Sequence, residues 1–245
     1  MTRRRLSAEV WIVLGLSLGQ AAVYAIVSLV VALSNGPLRD AIASLNANRS
    51  DLPWLDITLQ LLFIGFALVP VALAIYLLAI DGRPFQRLGL DRGRPVRDLL
   101  QGAAIAVAIG VPGLGLYAGG RALGITAEVV PVPEHVYAWT IPILILSALE
   151  NAIVEEVIAV GYLLSRLRDL SWGPWAAVAA SAALRGTYHL YQGFGPALGN
   201  AVMGLLYAWW FMRTRRLLPL IAAHALLDIV AFVGYLAVGD QLGFR

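Results

Sequence analysis

Apolar residues fill seven stretches of this chain, and short polar segments separate them. The stretches run roughly over residues 10–33, 57–80, 99–119, 139–164, 172–191, 196–212 and 217–238. A helix that crosses a bilayer needs about 20 mainly apolar residues, so each stretch predicts a transmembrane helix. The expected fold is an all-α, polytopic membrane helix bundle with about seven transmembrane helices, or eight if segment 34–56 adds a short interfacial helix. No internal repeat or low-complexity segment divides the chain, which points to one integrated membrane domain.

The loops predict an orientation. Arg3, Arg4 and Arg5 precede the first span, and Arg83, Arg87, Arg92, Arg94 and Arg97 lie between the second and third. Arg166 and Arg168 follow the fourth, and Arg213, Arg215 and Arg216 follow the sixth. The alternate loops hold fewer arginines. By the positive-inside rule the N-terminus is expected in the cytoplasm and the C-terminus outside. The basic start could open a signal peptide, but its apolar run continues to Leu33, beyond the 7–15 residues of an h-region. The first span is therefore expected to be retained. Ser171, ahead of Trp172-Gly173-Pro174, reads as a helix N-cap. Gly15 and Gly19 form a GxxxG, a spacing that suits helix packing. His135 reads as an ordinary loop histidine.

Composition supports the membrane reading. The chain of 245 residues is 60% hydrophobic and 13% charged, with a mean hydropathy of +0.77. A soluble domain is about 25% charged and 45–50% apolar. With no cysteine, disulfides, thiolate metal sites and a cysteine nucleophile are excluded. The net charge of +3 comes from an arginine-only basic set that, Arg185 apart, falls in the short loops and at the termini. That predicts a lipid bilayer as partner and no nucleic acid. It also hints at a bacterial source, and hence the plasma membrane.

Candidate chemistry lies where polar groups interrupt the later spans. Span 4 holds Glu150, Glu155 and Glu156, span 5 holds Arg185 and His189, and span 7 holds His224 and Asp228. An acidic residue at the centre of a membrane helix costs roughly 2.5–3.5 kcal/mol, so these groups are expected to meet. Glu155 and Glu156 point about 100° apart on a helix, so one should line a cavity and the other support it. Glu150 falls further round and is expected to be less central. Arg185 and His189 share a face, as do His224 and Asp228, each pair one turn apart. That spacing lets two side chains hold one ion or one water.

Several hydrolytic chemistries are excluded. Ser147 and Ser181 do not sit in a Gly-x-Ser-x-Gly turn. An aspartyl pair needs two membrane aspartates, but only Asp228 is well inside, with Asp240 near the terminus. No His-Glu-x-x-His sequence occurs. Glutamate and histidine activating water remain. The histidines would share a metal with the glutamate or donate to an oxyanion. A bland alternative treats Arg–Glu as a neutralising bridge and the histidines as helix–helix donors. A proton-coupled transporter is also conceivable, although no inverted repeat of broken helices supports it.

The residues resemble a known family. Glu155-Glu156 with Gly161-Tyr162-Leu163, then Tyr188-His189-Leu190-Tyr191-Gln192-Gly193, then Pro219 and His224-Ala225-Leu226-Leu227-Asp228, look like the motifs of CPBP intramembrane proteases. That group includes type II CAAX prenyl endopeptidases and bacterial Abi proteins. The resemblance implies helices 1–3 with their loops over residues 1–138 and a catalytic core over 139–238. It implies an intramembrane endopeptidase acting on a peptide or membrane-protein substrate, with Glu155 as general base and Glu156 beside it. His189 would help bind the water or a metal, and His224 with Asp228 would form the oxyanion site. Glu155, His189 and His224 would be the ligands if a metal is bound. Zinc and metal-independent activation both remain open. The family's arginine four residues after the second glutamate is replaced here by Val160, and Arg185 is the candidate substitute. A non-proteolytic scaffold or bacteriocin-immunity factor is the rival reading. Substrate and oligomeric state stay open.

Overall fold

A computed structural model describes residues 2–80, 82–91 and 93–238; Arg92 and Asp240 lie outside the described residues. The chain folds as an all-α membrane helix bundle, with helix in each of the seven apolar stretches. Among the described residues four helices, Leu18–Asn35, Pro53–Ile80, Pro95–Ala122 and Leu218–Ala237, are long and apolar enough to cross a membrane. Large apolar side chains such as Val23, Phe66, Val107 and Val230 point outward, as a lipid solvent permits.

The first predicted span is two helices, α1 (Arg3–Gly15) and α2 (Leu18–Asn35). Ser17 causes the break, because its hydroxyl donates to the Val13 carbonyl at 2.6 Å and bends the helix. The GxxxG is therefore not a helix face. Gly15 ends α1, and Gly19 is where α2 passes so close to Leu14 that a Cβ would lie 2.8 Å from its carbonyl oxygen. α1 is polar and docks by Glu9, which pairs with the buried Arg166 at 3.3 Å. The second span is α3 (Pro53–Ala67) and α4 (Val69–Ile80), interrupted where Pro70 removes a backbone donor.

A short helix α5 (Pro84–Leu88) leads into α6 (Pro95–Ala122). Arg216, in a later loop, holds this region by ion pairs to Asp98 and to Asp91, the latter at 2.7 Å. The Arg216 guanidinium keeps the Asp91 carboxyl below its ordinary range. The two longer loops supply strands that the apolar pattern does not predict. β1 (Ile42–Ser44) pairs in parallel with β2 (Glu128–Val130). Segment 34–56 thus holds a strand and a single 3-10 turn, Leu38–Asp40, and no interfacial α-helix. His135 is exposed, and its backbone N–H donates to Asn48.

The core is centred on the second half, with residues such as Val13, Ala74 and Leu88 of the first half packed into it. α7 (Thr140–Glu155) runs into a π-helical segment, Glu156–Tyr162, and then α8 (Leu163–Asp169). Ser171 does not cap the next helix. It has φ of 64° and closes α8 in a Schellman turn, with Ser171 N–H bonded to Arg168 and Trp172 N–H to Leu167. Gly173 instead precedes α9 (Pro174–Tyr188). α10 (Phe194–Thr214) packs along α9, and α11 (Leu218–Val238) packs on α6 and α7. A Cβ on Gly186 would lie 3.0 Å from Ala197 O, and one on Gly204 would lie 3.0 Å from Ala182 Cα. Such close approach needs small residues.

Candidate active site

Three segments bring the membrane polar residues together. The π segment begins at Glu156, immediately after Glu155 ends α7. π turns insert an extra residue and recur at functional positions. The Ala159 carbonyl within this turn accepts a 2.7 Å hydrogen bond from Ser181 of α9. At this junction both adjacent glutamates reach one arginine.

Glu156 and Arg185 form an ion pair in which both side chains are wholly buried. A second guanidinium nitrogen of Arg185 lies 3.6 Å from Glu155. His224, from α11, places Nδ1 2.8 Å from Glu156 Oε1. Its Nε2 lies 3.7 Å from Asp228 one turn on. Asn151 donates to the same Asp228 oxygen at 3.4 Å. Glu155 accepts a 2.7 Å hydrogen bond from the Tyr188 hydroxyl. Its side chain is 14% exposed and that of Asp228 22%, while Glu156 is closed off. The cluster thus has a buried floor and two carboxylates at its open side.

His189 sits at the end of α9 beside Tyr188, with ring centroids 4.8 Å apart. Its Nδ1 is 3.0 Å from the Arg185 carbonyl. A carbonyl only accepts, so Nδ1 carries the proton. In the neutral ring Nε2 then keeps its lone pair free to accept. Glu155 and His224 are within electrostatic reach of this ring. Glu150 is buried and within electrostatic reach of Glu155 and Asp228.

This arrangement coincides with a family match. Residues 137–230 match the family model described as type II CAAX prenyl endopeptidase Rce1-like. That segment is similar to the Rce1-like family. No curated protein and no solved structure matches it.

The matched segment contains every membrane polar residue described above, from Glu150 to Asp228. Within it, the ligand atoms of Glu155, Glu156 and His224 lie within 4.8 Å of one another. The converging trio therefore contains Glu156 where the sequence suggested His189. A carboxylate–carboxylate–imidazole set has the right donors for a divalent cation. The Arg185 guanidinium, however, already lies on Glu156 and faces Glu155. A metal between these carboxylates would sit against a fixed positive charge, so the set fits a metal poorly.

Tyr188 and Asn151 of the matched segment carry contacts that the sequence did not assign. Asn151 lies one turn before Glu155, a spacing that could have flagged it. Tyr188 adjoins His189, but nothing in the spacing reveals that its hydroxyl reaches α7.

Proposed function

We propose that this chain is an intramembrane endopeptidase that hydrolyses a peptide bond with water activated at Glu155. The observation that carries the reading is the pairing of an accessible Glu155 with a closed Glu156–Arg185–His224 network inside the segment similar to the Rce1-like family. Glu155 takes a proton as the water oxygen bonds to the carbonyl carbon, and later gives it to the leaving amide nitrogen. Free Nε2 of His189 accepts from the same water and orients it. His224, charged as an imidazolium, donates from Nδ1 to Glu156 and from Nε2 to the oxyanion, and Asp228 balances its charge. Arg185 and Glu156 position the groups and balance charge. No step passes through a metal, because Arg185 holds the cation's place.

The arginine-rich loops support a cytoplasmic N-terminus in the plasma membrane of a bacterium. The substrate is a peptide segment delivered at or within the bilayer. The test is cleavage of a randomised peptide library by the purified chain in detergent, read as new termini by mass spectrometry. Glu155→Ala and His189→Ala should each abolish the products while the fold persists. Products retained in either variant would overturn the assignment.

A further inference from the structure

Among the described residues the sheet formed by β1 and β2 has one open edge, that of β1, and β1 touches the turn that follows His189. In the parallel pairing, Glu128 N–H donates to Ala41 O and Leu45 N–H to Val130 O. The ladder therefore uses the N–H and C=O of Ala43, and those of Ile42 and Ser44 point away from β2. Among the described residues nothing bonds to them. Ile42 and Ser44 are exposed while Ala43 is buried. The outer edge of β2 is taken. Val129 N–H donates to the Tyr117 hydroxyl at 3.1 Å, and Ala127 N–H donates to Gln192 O at 3.0 Å.

The same contacts bolt the sheet to the site. Gln192 closes the 3-10 turn Leu190–Gln192 that follows His189, and Thr126 bridges Gly193 just beyond it. β1 itself touches this turn. Hollows of about 480 and 570 Å³ flank the edge, and Ile42 lines both. Asp51 and Glu134 border the larger one, and among the described residues no arginine lines either.

We propose that the open edge of β1 receives the substrate as an added, extended strand, with Asp51 and Glu134 favouring segments that carry arginine or lysine. This rests on the protease reading above. An endopeptidase must straighten its substrate to expose one bond, and strand addition does so through main-chain hydrogen bonds that accept many sequences. Alternate side chains of the added strand fall to opposite faces. A second copy is the poorer occupant, because pairing two β1 edges would bring two acidic margins together.

The test uses the full chain in detergent and one peptide selected from a randomised library because the chain cleaves it. Ser44→Pro removes only an outward N–H and leaves the ladder intact. We expect KM to rise about tenfold with kcat within about twofold, as loss of one or two hydrogen bonds implies. Asp51→Asn with Glu134→Gln should lower the preference for peptides containing arginine or lysine. Equal KM in wild type and Ser44→Pro overturns the docking edge and leaves the protease reading standing. A wild-type chain that cleaves no peptide overturns both. A change of oligomeric state in Ser44→Pro with KM unaltered assigns the edge to self-pairing and overturns the proposal. Should Ser44→Pro fail to fold, N-methylation along the peptide decides with wild-type protein. KM should rise at alternate positions, and a flat profile overturns the proposal.

Discussion

Arg185 and Glu156 meet as a fully buried ion pair between α9 and the start of the π segment. Removing one partner of such a pair strands the other charge and costs about 3–5 kcal/mol. Arg185→Ala is therefore expected to lower the melting temperature in detergent sharply and to abolish cleavage. Arg185→Lys keeps the charge but cannot fork toward both glutamates, so it should fold better than Arg185→Ala and still cleave poorly. Thermal melts of the two variants beside wild type check this.

Tyr188 holds the Glu155 carboxylate through its hydroxyl at 2.7 Å. A hydrogen bond to a charged group contributes about 1.5–3 kcal/mol. Tyr188→Phe should lower kcat by about 10- to 100-fold with little change in KM, since the ring and its packing remain. Steady-state kinetics on a cleaved peptide separate the two parameters.

Gly186 adjoins Arg185 and faces α10, where a Cβ would lie 3.0 Å from both Ala197 O and Ala201 Cβ. Gly186→Leu should separate α9 from α10, cost about 1–3 kcal/mol as overpacking does, and displace Arg185. Loss of both melting temperature and activity is the expected result. Gly113→Ala, at a position open on all sides, should change neither.

Treatment with a chelator, followed by dialysis, should leave cleavage within about twofold of the starting rate, and added zinc should not raise it. The reason is the guanidinium already lying against Glu155 and Glu156. Loss of cleavage that zinc restores would make Glu155, Glu156 and His224 a metal centre.

Much of the bundle is legible in the sequence because bilayer thickness dictates the length of each apolar run. The breaks within spans are less so. Ser17 and Pro70 act through single backbone groups, which a hydropathy window averages away. β1 and β2 have three residues each, too few for alternation to register. Ser171 has the chemistry of a cap, but the preceding helix claims it in a left-handed conformation. At the site, the cost of burying charge shows that Glu155, Glu156, Arg185, His224 and Asp228 need partners. Glu156 pairs with both Arg185 and His224 from the start of a π turn, whose register an α-helical spacing argument misses.

The measurement that bears most directly on the account is the cleavage rate of Glu155→Gln against wild type, on the same peptide and in the same detergent. The substitution keeps the size of the side chain and a hydrogen-bond acceptor for Tyr188, and removes the base. A fall of about 10²–10⁴-fold in kcat, with the melting temperature preserved, is the predicted result. A folded Glu155→Gln that cleaves at the wild-type rate would contradict it.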